Sequence, residues 1–159
     1  LFCLFLGGPV LAMGYKAINT LDSMVGYKTV KYRKIGFVSA KMDDLVNLIP
    51  ARLTWFFMLA SARILQLDFR NAIKIGWRDR YQHASPNSAF PESVVAGALG
   101  IQLGGAHVYH GELISKPTIG DPIRNVEADD ILTSISMLYM TTTVSTFILS
   151  MIYFILVIY

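Results

Sequence analysis

The sequence predicts an all-α, polytopic integral membrane protein that carries a mostly helical, loop-rich extramembrane or re-entrant unit. Three observations predict this fold class. Of the 159 residues, 53% are hydrophobic and 16% are charged, whereas about a quarter are charged in an ordinary soluble domain. The apolar residues are concentrated in three segments, at about 1–17, 45–67 and 131–159. A polar region at 68–130 holds eight of the eleven acidic residues and all three histidines.

The last apolar segment is the clearest membrane span. From Ile131 to Tyr159 the chain has 29 residues and no charge, more than the ~20 that a helix needs to cross the hydrocarbon core. Hydroxyl side chains such as Thr141 and Ser145 lie within it. We expect them to bond to the preceding turn or to a neighbouring helix, as such hydroxyls do in membranes.

The first apolar segment, about 1–17, is interrupted by Gly7, Gly8 and Pro9. This interruption predicts a kinked or broken helix whose freed carbonyls are satisfied by its neighbours. The segment has no basic residues at its start and no clear cleavage site, so we expect no signal peptide. Because the chain begins with Leu1, we expect it to start inside a membrane helix, as a fragment would.

The segment at 45–67 has two interpretations. Arg52 and Arg63 bracket ten uncharged residues, and ten helical residues span only ~15 Å, about half of a hydrocarbon core. If the segment crosses the bilayer, both arginines must snorkel or pair with carboxylates. If it does not cross, it is a re-entrant or interfacial helix, and the regions on either side of it share one face of the membrane.

The charge pattern narrows the set of partners. The net charge is only +3, and the basic residues form no stripe with aromatic residues, so we expect no nucleic-acid partner. Basic residues do cluster between Lys28 and Lys41, which fits a cytoplasmic loop, binding of anionic phosphates, or both. The single cysteine, Cys3, excludes a disulfide or a cysteine metal site within the chain.

Two polar stretches near the first apolar segments are candidates for metal binding. Asn19 and Asp22 are three residues apart and would share a helix face, and an amide with a carboxylate suits a magnesium ion. A helix end closed by Gly26 explains the same residues. Asp43 and Asp44 would be favoured at a helix start by the macrodipole, or they form a second acidic element for a metal–nucleotide complex.

The polar region holds the densest group of reactive side chains, between Trp77 and Glu92. The pattern predicts short helices at Phe69–Arg80 and at Pro91–Ala98, with proline at an N-terminal position. His83 is a candidate general base because its ordinary pKa lies near working pH. His107 and His110 lack a metal-ligand spacing, and we interpret them as structural.

Glycines follow this group, and a proline-containing stretch follows the glycines. Between Gly97 and Gly105, glycines allow either close approach of backbone N–H groups to an anion or close helix packing. The residues from Lys116 to Asp121 form a predicted Pro/Gly turn. The lysine and the aspartate could bind a phosphate and a metal there, although an ordinary exposed turn would look the same.

Taken in order, these stretches resemble the CobD/CbiB family, the adenosylcobinamide-phosphate synthases of cobalamin biosynthesis. The similar blocks lie within about 7–124 and read NTLDSMVGYK, DD with IPAR, W-R-D, H-x-SPN-x-x-x-PE, AGALG-x-QLGG and KP-x-IGD. Ala84 stands where members often have proline. The family also has an N-terminal stretch with further membrane helices, so the resemblance implies that this chain is the C-terminal half and that the missing half contributes to the site.

The resemblance implies a multi-pass enzyme of the cell membrane. With ATP and Mg²⁺, it would join aminopropanol, or its phosphate, to a propionate carboxyl of the corrinoid adenosylcobyric acid. ATP would turn the inert carboxylate into a reactive acyl phosphate while metal and basic groups stabilise the phosphoryl charge, and a base would remove a proton from the attacking amine. The alternative is a non-catalytic membrane transporter or a sensor-like homologue, neither of which needs so dense a polar array.

On this resemblance we assign roles to individual residues. The catalytic residues are Asp22, His83 and Glu92, with either of the last two as the base, and the metal is held by Asp22, Asp44 and Asp121. The residues expected to bind substrate and phosphate are Asn19, Lys28, Arg78, Asn87, Gly97, Gly104, Gly105 and Lys116.

Overall fold

The computed structural model describes residues 1–26, 33–109 and 112–158. Within them the chain forms six helices and one two-stranded sheet. The elements are α1 (Phe2–Val25), α2 (Arg33–Val46), α3 (Leu48–Ile64), α4 (Phe69–Arg78), α5 (Ala89–Leu99), β1 (Leu103–Tyr109), β2 (Glu112–Ile119) and α6 (Asp129–Ile158). The chain divides into a first unit, Leu1–Pro50 with Ser145–Tyr159, and a second unit, Ala51–Val144. The predicted all-α membrane fold is confirmed, with one small hairpin added.

Two helices of the described residues are long and apolar enough to cross a membrane. They are Phe2–Val25 and Asp129–Leu156. The second of these confirms the span predicted from the uncharged run at 131–159. Helices α2 and α3, interrupted at Asn47, qualify only together, as a broken span or a re-entrant loop. Both interpretations of the segment at 45–67 therefore stay open.

In the first unit, α1 contains the predicted kink. Gly7 and Gly8 leave helical geometry, and Gly8 takes a φ of 63°, which favours glycine because it has no Cβ. The helix then continues beyond the predicted limit of residue 17 and ends at Val25. The ring of Phe5 in α1 lies 6.4 Å from that of Tyr153 in α6, edge to face.

The second unit has a buried core that α3, α4, α5 and the start of α6 build together. Its buried cluster consists of Trp55, Met58, Leu59, Ala62, Ala72, Phe90, Val94, Ala98 and Met137. Polar contacts also join these helices inside the core. The indole N–H of Trp55 donates to the carbonyl of Gly76 at 3.1 Å, and the Thr141 hydroxyl donates to Ser61 Oγ at 3.0 Å. The core thus fixes how the three shorter helices pack on the first part of α6.

Helices α4 and α5 confirm the two short helices that the sequence predicts. Helix α4 begins where Asp68 accepts a hydrogen bond from the N–H of Asn71 at 2.9 Å, which satisfies a free helix donor. Helix α5 has Pro91 in its first turn, as expected, and ends at Gly100 in a left-handed conformation. The ends differ from the prediction by one or two residues.

The antiparallel hairpin of β1 and β2 was not predicted. Its register pairs Leu103 with Ile119 and Gly105 with Lys116, and the irregularity between Gly104 and Gly105 marks a bulge. Leu103 and Ile119 pack with residues of α4 and α5. The predicted Pro/Gly turn was therefore wrong for its first four residues, because Lys116–Ile119 belong to a paired strand.

Candidate functional site

Several polar residues of the second unit meet at a cavity of about 600 Å³. The cavity is formed by the segment after α4, the first turn of α5 and the hairpin. Its lining residues are Gln82, His83, Ala84, Glu92, Gly104, Ser115, Lys116, Pro117 and Ile119. Four of the residues assigned from the sequence are among them. The structure thus brings together an imidazole, a carboxylate and an ammonium group that lie far apart along the chain.

The hydrogen bonding of His83 limits what its ring can do. The backbone N–H of Ser85 donates to His83 Nδ1 at 3.0 Å. In the neutral ring the proton then lies on Nε2, because one nitrogen accepts while the other donates. Nε2 then carries an N–H donor rather than a lone pair. Of the two candidate bases, the geometry therefore favours the carboxylate of Glu92.

Glu92 reaches the cavity from a helix, and Lys116 reaches it from a strand. Glu92 lies half-buried in the first turn of α5, where the helix macrodipole stabilises a carboxylate. Lys116 is exposed on β2, opposite Gly105 in the strand register. An ammonium group at this position can stabilise phosphate charge.

The glycines divide between the two alternatives that the sequence left open. Gly97 is buried within α5, and a Cβ there would lie 2.7 Å from the carbonyl oxygen of Asn71 and 2.8 Å from Ala72 Cα. The side-chain amide of Asn71 also contacts this glycine, since its Nδ2 donates to the Gly97 carbonyl at 2.7 Å. Close helix packing, rather than anion binding, therefore explains Gly97. Gly104 does line the cavity, with a φ of 79° beside the strand bulge.

Arg78 binds carboxylates in this structure. Its Nε and Nη2 donate to Asp79 at 2.6 and 2.8 Å, and its Nη1 donates to Asp121 at 2.8 Å. A role in phosphate binding, and a metal role for Asp121, would each require one of these bonds to be exchanged. The arginine instead joins the end of α4 to the segment that follows β2.

Asp79 is the centre of this connection. It is buried and also accepts a hydrogen bond from the backbone N–H of Gly120 at 2.8 Å. The hydrogen bonds from Arg78 lower the pKa of Asp79; burial opposes the shift and the Gly120 N–H adds to it. The paired carboxylates in turn raise the pKa of Arg78. Asp79 therefore stays ionised and holds one edge of the hairpin near the cavity.

Asn87 also makes a structural contact, with the side chain of Arg52. Arg52 Nη1 donates to Asn87 Oδ1 at 2.7 Å, and the arginine guanidinium lies 4.3 Å from the centre of the Phe90 ring. The side chain of Asn87 is buried. An amide oxygen and an aromatic face are therefore among the partners of Arg52.

In the first unit, the two polar stretches that the sequence singles out for metal binding touch through Asn19 of α1 and Asp43 of α2. Asn19 Nδ2 donates to Asp43 Oδ1 at 3.2 Å, and Asp22 lies three residues after Asn19 on α1. Asp22 Oδ1 is buried, and it has no hydrogen-bond partner within the described part of the chain. Nowhere in the described residues do three or more His, Cys, Asp or Glu side chains form a group that could hold a metal.

Two of the predicted residues, Lys28 and His110, lie outside the described residues. The structure adds Asp79, Gln82 and Ser115, which had no assigned role. The sequence could have pointed to them only by proximity, because each is next to an assigned residue in the chain. It also adds the pairing of Arg124 with Asp130 at the start of α6, which no sequence pattern indicates.

Comparison with known proteins gives concordant matches. The family model described as "CobD/Cbib protein" matches residues 1–138. A "Cobalamin biosynthesis protein CobD" of Streptococcus sanguinis is 71% identical over 98% of this chain and 49% of the relative. One from Listeria monocytogenes is 58% identical over 98% and 50%. A "Cobalamin biosynthesis protein CbiB" of Salmonella typhimurium is 56% identical over 91% and 46%.

The chain spans about half the length of the curated relatives that it matches. No solved structure matches the chain.

Proposed function

Because the chain belongs to the CobD/CbiB family, we propose that it acts in cobalamin biosynthesis as the C-terminal half of an ATP-dependent amide synthase. The enzyme would join aminopropanol, or its phosphate, to adenosylcobyric acid and form adenosylcobinamide, or its phosphate. The observation that carries the proposal is the cavity that gathers His83, Glu92 and Lys116. The two helices long enough to cross a bilayer support a multi-pass location in the cell membrane.

The proposed reaction has two steps. A propionate oxygen of the corrinoid attacks the terminal phosphorus of ATP, so an O–P bond forms and the bond to ADP breaks. The amine nitrogen then attacks the acyl carbon, a C–N bond forms, and inorganic phosphate leaves. The nitrogen loses its extra proton to a base, which leaves the neutral amide.

Each cavity residue has a role that fits its geometry. Glu92 accepts the proton of the attacking amine, since its carboxylate lines the cavity from a half-buried position. His83 Nε2–H donates to a phosphate oxygen, because Nδ1 is already held by the N–H of Ser85. Lys116 stabilises the charge that develops on the transferring phosphoryl group. Gly104 leaves the space between them open.

Magnesium, when bound, would neutralise the charge on the ATP phosphates. Asp22 fits that ion, because one of its oxygens is buried with no partner in the described part of the chain and magnesium needs only one or two carboxylates. Asp44, the second proposed ligand, forms an ion pair with Lys41 at 3.9 Å that the ion would replace. Asp121 fits less well, since its carboxylate binds Arg78. Asn19 contributes by orienting the neighbouring Asp43.

The test is amide formation by this chain, produced together with the N-terminal half of the Streptococcus sanguinis relative. With ATP, magnesium, adenosylcobyric acid and aminopropanol phosphate, we expect a corrinoid amide and equal amounts of ADP. Lys116→Gln should raise the KM for ATP by about tenfold, the value of one charged hydrogen bond, whereas Lys116→Arg should retain most of the affinity. Movement of corrinoid across vesicles without any amide would instead identify a transporter and would contradict the proposal.

A further inference from the structure

Helix α4 has a second face that stays largely exposed. Its buried face, which includes Ala72 and Ile75, packs on α5. On another side, Ile73 and Trp77 of α4 and Tyr81, three residues beyond the helix, follow one another at intervals of four residues, and they are 39%, 61% and 61% exposed. The Trp77 ring touches the protein at Trp55, edge to face at 6.5 Å. Large aromatic residues with a polar edge are typical of the membrane–water interface.

Positive charge surrounds these exposed rings. Arg70 and Lys74 are exposed on α4, and the helix itself contains no acidic residue. The guanidinium of Arg80 lies 3.8 Å from the centre of the Trp77 ring and 4.8 Å from that of Tyr81. This stacking holds a cation at the level of the rings. Aromatic residues combined with arginine and lysine fit a surface of anionic lipid headgroups.

The packing of the second unit also connects α4 to α6. Ala72 of α4 belongs to the same buried cluster as Met137 of α6. Met137 follows the first residue of that helix, Asp129, by eight positions, which corresponds to ~12 Å along the axis. Helix α4 therefore belongs to the same core as the first turns of α6, the helix that is long and apolar enough to cross a membrane.

We propose that this face of α4, formed by Arg70, Ile73, Lys74 and Trp77 together with Arg80 and Tyr81 of the segment that follows, rests in the headgroup region of a bilayer that contains anionic lipids. The apolar rings lie at the boundary of the acyl chains, and the cations contact lipid phosphates. The contact would fix how far the segment after α4, which includes His83 of the cavity, lies from the membrane surface. The inference does not depend on the amide chemistry and can fail or hold without it.

The experiment uses the tryptophan fluorescence of the chain reconstituted into vesicles of phosphatidylcholine and phosphatidylglycerol. The chain has two tryptophans, Trp55 and Trp77, and Trp55 is buried. The two rings lie only 6.5 Å apart, edge to face, so their emissions are not additive. The Trp55→Phe variant therefore serves as the reporter, because Trp77 is then the single tryptophan. We expect acyl chains brominated near the headgroup to remove most of its emission, chains brominated near the bilayer centre to remove little, and aqueous acrylamide to have a weak effect.

Two other outcomes would overturn the proposal. Strong quenching by acrylamide without quenching by bromine would mean that Trp77 faces water. Resistance to both quenchers would mean that protein covers it, such as a further segment of the polypeptide.

A second experiment tests whether the cations of this face contact anionic lipid. Raising the phosphatidylglycerol fraction should further protect Trp77 from acrylamide in the reporter chain. The double variant Arg70→Gln, Lys74→Gln, made in that chain, should lose this dependence, while in pure phosphatidylcholine the variant and the reporter chain should behave alike. An unchanged dependence on lipid charge in the variant would remove the cations from the proposal.

Discussion

The two units of the chain hold their polar residues in different ways. In the second unit, Asp79 and Asn87 are buried and each accepts a hydrogen bond from an arginine. In the first unit, α1 has no buried residue along its whole length, and Asn19 reaches Asp43 in a contact that is only partly buried. The second unit therefore holds its site residues by its own packing, whereas α1 of the first unit buries no residue within the described part of the chain.

The largest expected difference between the two units is in their response to one added methyl group. In Gly97→Ala the new Cβ would meet the backbone of α4 at 2.7 Å, so α4 and α5 must separate, and we expect a loss of about 3 kcal/mol in stability. The matched variant Gly14→Ala adds the methyl group in open space on α1 and should stabilise the helix by about 0.5–1 kcal/mol. Thermal unfolding in detergent, followed by circular dichroism, measures both, and equal shifts would refute the difference.

A second test removes one polar group from each unit. Asp79→Ala leaves the buried N–H of Gly120 without its acceptor and takes a partner from Arg78, so we expect a loss of about 2 kcal/mol. Asn19→Ala removes a partly buried contact and should cost less than about 1 kcal/mol. Denaturant titration of the two variants provides the measurement. A larger loss for Asn19→Ala would reverse the ranking of the units.

A smaller effect follows from the lowered pKa of Asp79, whose ordinary value is 3.8. In the unfolded chain Asp79 binds a proton near that pH, but in the folded chain the bonds from Arg78 delay protonation to a lower pH. The stabilisation is thus complete above about pH 4 and is lost as the pH falls through the folded value. The stability of Asp79→Asn should decline less steeply below pH 4 than that of the unmodified chain. Parallel curves would contradict the assignment.

The sequence predicts the helical elements well because their signals are local. The uncharged run that forms α6, the Gly-Gly-Pro kink in α1 and the proline in the first turn of α5 each act through neighbouring residues. The hairpin was missed because Gly104, Gly105 and Pro117 are residues that strands disfavour, and only the bulge accommodates them.

The candidate site was predicted residue by residue but not as an arrangement. The motifs identified His83, Glu92 and Lys116, which the fold brings to one cavity. They could not show that Arg78 would pair with Asp121, which is 43 positions away. Long-range pairing of this kind depends on the packing of α4 against the hairpin segment, which no local pattern encodes.

The most direct test of the account is the single-turnover rate of amide formation in three variants of the co-produced enzyme. Glu92→Gln removes the proposed base and should lower the rate by about 10²–10⁴-fold, while the exposed Glu127→Gln should leave it unchanged. His83→Gln keeps an N–H donor and should cost about tenfold or less. A fall in His83→Gln that equals that of Glu92→Gln would make the imidazole the base. Normal rates in both variants would show that the cavity is not the active site.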